Sequence, residues 1–403
     1  MSSLRFGYIA APILAFLWTF VIATTVAVTM SFATGDAYRP SFLWSIPIGV
    51  CLGLLALGRP DRWLVSAVAA AVGGLLLFVG FGPLVSETDP STQRIIAALL
   101  FGFGTGWPLA HFVRELPYGA LTRYEFEEAI IRFLLGVGYI FFVAIIIIPF
   151  YVMVMTSLKN QAELLANPLD FSLDFSKGWD LFRSYRELIT DFNFGWYLWT
   201  SFYVSVLTVL LTLLFSVPGA YAVARLRFKG RAAFSRSILL IYMVPMIVLA
   251  LPIYIAFSVT GLRNTIVGIL MIYPVTTIPV ALYMLQGYFR GLPAEVEEAG
   301  LMDGLTRLQV IWKITLPLSL PALASVSLYV FMIAWNEFLL AFMLLDDPSK
   351  FTLTRGIASL NSSEIPRQHL MAGSVIATVP VMLLFLGLER FMTKGLTAGS
   401  VKG

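Results

Sequence analysis

The sequence predicts an all-α, polytopic membrane protein of about ten transmembrane helices, and three observations carry that expectation. Of 403 residues, 59% are hydrophobic and only 12% are charged, about half the ~25% of an average soluble domain. The charges stand in short clusters that leave ten charge-poor runs between them. Each run can cross a ~30 Å hydrocarbon core at ~1.5 Å per residue.

The runs lie between Arg5 and Asp36, Arg39 and Arg59, Arg62 and Glu87, and Arg94 and Arg114. They continue from Arg132 to Lys159, Asp191 to Arg225, Arg236 to Arg263, Arg263 to Arg290, Lys313 to Glu337 and beyond, and Arg367 to Glu389. The second and fourth are the shortest and are open to a re-entrant reading. With the N-terminus placed in the cytoplasm, most of the 27 basic residues fall on inner segments. The cluster RLRFKGR at 225–231 is the strongest single signal. Both termini are therefore expected to be cytoplasmic. The net charge of +4 has the same origin: the basic residues orient helices and build no phosphate-binding face, so nucleic acid is not an expected partner.

Composition also removes several chemistries. The single cysteine, Cys51, sits in an apolar run, which excludes an intrachain disulfide and a thiolate metal site. His111 and His369 are far apart in sequence, too few for a zinc or haem site, so no metal is expected. The first apolar run is too long for the core of a cleaved signal peptide and reads as a retained helix. Two distant histidines and one deep carboxylate also leave no catalytic constellation for an intramembrane enzyme.

The organisation splits into parts. Residues 1–113 form four helices with short loops and pairs of small residues, Gly49 with Gly53 and Gly102 with Gly106. Such spacing lets helix backbones approach closely in lipid. The run GFGTG at 102–106 lacks the following Lys-Ser/Thr of a phosphate loop and reads as packing. Residues 114–132 mix charged and apolar residues and are expected to lie along the inner membrane surface as an amphipathic connector. Residues 133–403 hold six spans, a large outer loop at 158–197 and a large inner loop at 290–317.

The inner loop carries the function. Its sequence is RGLPAEVEEAGLMDGLTRLQVIWKITLP. Pro293 suits the first turn of a short helix. Glu295, Glu297 and Glu298 follow, where carboxylates complement the positive end of a helix dipole. Ala299 and Gly300 make a notch of small residues, Asp303-Gly304 is a turn signal, and Thr306 is placed to cap a second helix. The product is a cytoplasmic helix-turn-helix knob, a shape for pushing against another protein.

Glu298-Ala299-Gly300, then Gly304 after three residues, Ile314 after nine more, and Leu316-Pro317 after one, resembles the EAA loop of ABC importer permeases. The sole departure is Gly300 for the second alanine, a small-for-small change. PFYVMVMTSLK (149–159), AWNEF (334–338) and the tail GLTAGSVKG (395–403) resemble the second permease of maltose-type carbohydrate importers. That permease has six spans and no four-helix leader, so residues 1–132 fall outside the resemblance.

The resemblance implies a six-helix permease core preceded by about four extra helices, in a bacterial inner membrane. It implies a non-catalytic subunit whose inner loop docks on an ATP-binding cassette ATPase dimer; ATP and Mg belong to that partner, and this chain binds no cofactor. A second permease and a periplasmic solute-binding protein are the other implied partners, besides the lipid bilayer. By this carry-over Glu298, Ala299, Gly300, Asp303 and Gly304 shape the docking surface, with Ile314, Leu316 and Pro317 completing the loop. Gly399, Val401 and Lys402 in the tail reach the ATPase. The implied cargo is a sugar, with glycerol phosphate, polyols, peptides or other small solutes as alternatives. An ion-coupled secondary transporter is the competing class, and it needs mid-membrane ion ligands that the core does not supply beyond Glu337.

Glu337 is the only carboxylate well inside a run. It reads with Asn336 either as part of the translocation path, contacting sugar hydroxyls, or as a buried hydrogen bond or gate ion pair; the second reading is preferred. Prolines 149, 218, 245, 252, 274, 279, 321 and 380 interrupt the core runs and suit helices lining a cavity, though proline is common in membrane spans generally. Trp196, Tyr197 and Trp199 read as an interfacial belt and His111 as an interfacial histidine. The outer loop offers surface to a soluble partner.

Overall fold

The structure, a computed structural model, describes residues 5–58, 61–86, 91–113, 116–167, 170–362 and 365–397. Arg59, Glu87 and Arg114, which bound three of the expected runs, lie outside the described residues, as do Gly399, Val401 and Lys402. Among the described residues nearly all regular structure is helical. Packing divides the chain into two compact units at Leu181 and Phe182.

The first unit begins with α1 (Gly7–Thr34), α2 (Phe42–Gly58), α3 (Arg62–Val79) and α4 (Ser91–Phe112). A short antiparallel pair, β1 (Tyr38–Pro40) and β2 (Leu84–Ser86), closes one end, with Tyr38 opposite Ser86. Glycines decide how these helices meet. A Cβ on Gly102 would lie 2.3 Å from the Ala70 side chain, and one on Gly106 would lie 2.4 Å from the Ser66 backbone. Gly49 and Gly53 meet α1 just as closely, at 2.3 and 2.8 Å. GFGTG is thus a packing seam, as its sequence context indicates, and the carbonyl of Gly104 accepts a hydrogen bond from Trp18 Nε1 at 2.9 Å.

α5 (Arg123–Ser157) belongs to this unit as well. Thr122 and Glu125 form a reciprocal capping box at its start. Arg123 pairs with Glu127 at 2.6 Å and Arg132 with Glu128 at 3.0 Å. The charged stretch expected as a connector therefore continues directly into the apolar helix from residue 123. At 35 residues α5 is about 52 Å long, more than a bilayer core needs, so its charged turns can extend into the headgroups. Trp18, Phe112 and Phe133 pack edge to face where α1, α4 and α5 meet. α6 (Gln161–Ala166) and a 3-10 segment, Phe175–Phe182, follow.

The second unit contains α7 (Arg183–Thr190), α8 (Phe194–Arg225), α9 (Arg231–Tyr242), α10 (Met246–Val259) and α11 (Ile266–Gly291). Then come α12 (Ala294–Met302), α13 (Arg307–Val310), a π-helical turn Ile311–Thr315, α14 (Leu316–Leu318) and α15 (Leu320–Asn336). α16 (Leu339–Leu344), α17 (Leu353–Ser359) and α18 (Arg367–Thr397) complete it. α8 and α11 form its axis: Tyr221, Leu282, Leu285 and Phe289 are buried together, and Thr212 and Thr277 share a hydrogen bond of 2.6 Å. Trp335 on α15 donates to the Ala377 carbonyl of α18 at 3.0 Å.

Among the described residues seven helices are long and apolar enough to cross a membrane: α1, α3, α4, α5, α8, α11 and α18. The segment from α13 to α15 is an eighth, bent by 81° beside Ser319. α2 and α10 are shorter apolar helices, so each expected run has an apolar helical counterpart. The fourth run is a full 22-residue helix, and only the second stays short, at 17. The seventh run is broken: α9 ends at Tyr242, and Pro245, which has no N–H to give, starts α10. Prolines 149, 218, 252, 274, 279 and 380 lie inside helices, whereas Pro245 and Pro321 stand at helix starts.

Candidate coupling loop

The loop between α11 and α15 folds from local signals. Pro293 precedes α12 as its N-cap residue. At the other end Gly304 has φ +85°, its N–H bonds the Leu301 carbonyl at 3.1 Å, and the Leu305 N–H bonds the Gly300 carbonyl at 3.1 Å. This double bond is the Schellman stop, which needs a left-handed residue in the position Gly304 occupies. Thr306 then caps α13 through a reciprocal box with Gln309. Thus the glycine three residues after Glu298-Ala299-Gly300 is the residue that lets the chain leave α12 and return.

Gly300 is buried, and a Cβ there would lie 2.5 Å from Ile314 Cδ1, 3.4 Å from Leu305 Cδ1 and 3.7 Å from Val310 Cγ2. The notch and Ile314, fourteen positions apart in sequence, are therefore two sides of one contact. Leu316 is half-buried and Pro317 exposed in the short helix that follows. Glu298, Ala299 and Asp303 face solvent. Apolar residues accompany them: Met302 is 88% exposed, Trp312 71% and Leu308 69%. A charged and apolar tip of this kind is suited to a protein partner.

The root of α12 is held by a residue that the sequence pattern does not single out. Glu297 is 4% exposed. Tyr221 on α8 donates to its Oε2 at 3.2 Å, and Thr315 donates to Oε1 at 3.0 Å. Arg225 Nε, at the end of α8, lies 3.4 Å from Oε1, and Arg225 Nη2 donates to the Leu292 carbonyl at 2.7 Å. The carboxylate thus ties α12 to α8 and to the turn leading into α15. Its sequence signature was its place in the first turn beside Glu298; Arg225 was legible only as an orientation charge.

Glu337 occupies a different setting. α15 stops at Asn336, and the Glu337 carboxylate accepts from the Leu340 and Ala341 amides at 2.8 and 3.0 Å. It caps α16, where the amides of the first turn have no partner within the helix. Thr354 donates to the Glu337 carbonyl at 2.6 Å. Asn336 Nδ2 donates back to the Met332 carbonyl at 2.8 Å. Trp196 and Trp199 are about half exposed, while Tyr197 is buried against Phe194 and Phe351, a core role in place of the expected interfacial one. No cluster of three or more potential metal ligands occurs among the described residues.

Residues 216–397 match the family model of the binding-protein-dependent transport system inner membrane component. The chain is 38% identical over 269 residues to the inner membrane ABC transporter permease protein YcjP of Escherichia coli, covering 66% of this chain and 95% of that one. It is 34% identical over 281 residues to the trehalose/maltose transport system permease protein MalG of Thermococcus litoralis, covering 69% and 99%. A solved bacterial ABC transporter involved in import of the acidic polysaccharide alginate superposes with a TM-score of 0.55 at 25% identity, over 67% of this chain and 98% of that one. About two thirds of this chain thus covers each of these proteins almost end to end, and the remaining third has no counterpart in them. The chain belongs to the binding-protein-dependent transport system inner membrane components, as a non-catalytic ABC importer permease subunit.

Proposed function

We propose that this chain forms half of the translocation pathway for a sugar or sugar-like solute delivered by a periplasmic binding protein, with a second permease as the other half. The relatives with carbohydrate names support the cargo, among them the trehalose/maltose permease and the arabinooligosaccharide permease of Halalkalibacterium halodurans. In this reading residues 133–403 are the transport core and 1–113 a leader, joined through the stretch before Arg123 and the charged first turns of α5. Both termini are cytoplasmic, as the basic residues indicate. ATP and Mg are bound by a partner ATPase dimer, which α12 engages from the cytoplasm.

The observation that carries the proposal is the contrast within one nine-residue helix: an exposed tip at Glu298, Ala299, Met302 and Asp303, and a root fixed through Glu297. A partner that displaces the tip moves a helix already bonded to α8 and to the base of α15. Gly300 and Gly304 set the shape of the tip, and Ile314, Leu316 and Pro317 carry its motion into the bent span. Asn336 and Glu337 serve as a gate-side brace of the broken span, since both carboxylate oxygens are taken by backbone amides. Gly399, Val401 and Lys402 are assigned to the ATPase interface.

The test is ATP-driven uptake in proteoliposomes holding the whole complex without an ion gradient. Gly304→Glu should leave the chain in the membrane while abolishing coupled ATP hydrolysis, because a side chain at φ +85° costs about 1 kcal/mol or more and disturbs the Schellman stop. Met302→Cys should cross-link to the ATPase. Normal transport by Gly304→Glu, or uptake by this chain alone on a proton or sodium gradient, would overturn the assignment.

A further inference from the structure

Away from the coupling loop, the second unit carries a pocket of about 540 Å³ lined by Phe228, Gly230, Arg231, Ala232, Ser235, Arg236 and Arg290. Three of these residues are guanidinium cations and none is an acid. None of the three arginines has a carboxylate partner among the described residues. Arg231 is fixed by donating to the Val223 carbonyl at 2.6 Å and the Ala224 carbonyl at 3.0 Å, in the last turn of α8. Arg290 is fixed by Gln286: in the amide orientation that satisfies both ends, Gln286 accepts from Arg290 Nη1 and Nη2 at 3.2 and 3.1 Å and donates to Ser235 Oγ at 3.1 Å. Gln286 is itself buried. The pocket therefore holds at least two cations in place with neutral partners, leaving their positive charge uncompensated.

Its position limits what can neutralise that charge. It lies where α8 ends, α9 begins and α11 ends, at one boundary of the apolar segments. Phe228 lines it and is exposed, and α9, which supplies four of the lining residues, also exposes Phe234 and Leu240. A cationic recess bordered by exposed aromatic and aliphatic side chains matches a headgroup phosphate with its acyl chains alongside.

We propose that Arg231, Arg236, Arg290 and Ser235 form a binding site for the phosphate of an anionic phospholipid. Placing it in the cytoplasmic leaflet rests on the orientation proposed above; the site itself does not, because headgroup selectivity can be read in either leaflet. Arg236, exposed and one helical turn beyond Ala232, closes over the headgroup, while Arg231 and Arg290 form the floor.

The experiment uses the full chain in nanodiscs of phosphatidylcholine with and without phosphatidylglycerol, with native mass spectrometry of the lipids retained on extraction. The wild-type chain should retain phosphatidylglycerol preferentially. Arg236→Gln/Arg290→Gln should lower that preference by about thirtyfold, the equivalent of two cations at a membrane surface. Ser235→Glu, which puts a carboxylate beside Arg290, should lower it without removing an arginine, and Arg186→Gln on the other loop should not. Unfolding midpoints in detergent identify any variant that fails to fold, and Ser235→Glu then remains the reading. The proposal is overturned if the wild-type chain shows no preference, or if the folded variants keep it. Displacement of the lipid signal by millimolar inorganic phosphate at equal affinity would reassign the pocket to free phosphate. Loss of ATPase association with unchanged lipid retention would reassign it to a protein contact.

Discussion

Two buried carboxylates in the second unit are satisfied in opposite ways. Glu297 reaches across elements, to Tyr221 and Arg225 on α8 and to Thr315 before α15. Glu337 is held mainly by the amides of Leu340 and Ala341, three and four residues along its own chain, with the hydroxyl of Tyr273 on α11 beside it. The first arrangement welds separate helices into one moving part. The second caps a break in a span and adds one contact to α11. The contrast shows that burial of an acid does not by itself mark a substrate contact; Glu297 is held by side chains of other elements, Glu337 chiefly by backbone amides of the helix it caps.

The largest effect should come from Glu297→Ala. It leaves the guanidinium of Arg225 without its acid and Tyr221 and Thr315 without their acceptor, a loss of about 3–5 kcal/mol. Thermal unfolding in detergent should fall steeply, and an unchanged midpoint would break the distinction drawn here. Glu337→Gln should cost less, about 1.5–3 kcal/mol, because its amide oxygen can still accept one of the two backbone N–H groups. Transport with unaltered substrate affinity would sharpen the supporting role; a selective loss of affinity would return Glu337 to the pathway.

A third acid, on the short helix α7, lies between these cases. Glu187 on α7 accepts from Arg183 at 2.6 Å and contacts His369 on α18 at 2.8 Å. The Arg183 hydrogen bond, and against the opposing burial that of His369, holds its carboxyl below the usual range. A depressed carboxylate contributes stability above its unfolded value and loses it as pH falls through the folded one. Protection of the Arg183–Thr190 amides, taken relative to their intrinsic exchange rates, should therefore be high near neutrality and fall below about pH 4.3; unchanged protection would mean that this tie does not hold α7. The smallest effect is expected from Gly300→Ala. Only the mobile end of Ile314 needs to move, so stability should change by less than about 1 kcal/mol and ATPase coupling should persist. Gly300→Leu, which cannot be absorbed in that way, is the contrasting control.

Much of this was legible because lipid penalises charge so heavily. The boundaries of the helices follow the positions of Arg, Lys, Asp and Glu, and the glycine seams at 49–53 and 102–106 follow their spacing. The EAA-like spacing was legible for a local reason, since Gly304 must stop α12 and Ile314 must fill the space beside Gly300. The unbroken run of α5 through residues 123–132 was missed, although its capping box of Thr122 and Glu125 stood in the sequence; the charges drew the reading toward a surface connector. The breaks near Pro245 and Ser319 were not legible, because proline inside a span continues the helix more often here than it ends one. Glu297 stayed hidden because its meaning depends on α8, over seventy positions earlier in the chain.

The first unit has its own buried core, sealed by the glycine contacts and the Trp18–Phe112–Phe133 cluster, and all of it is translated before Phe182. During synthesis, then, the ribosome delivers a membrane-resident platform before any residue of α8 appears. Release of nascent chains at increasing length should detect this intermediate as a protease-resistant fragment.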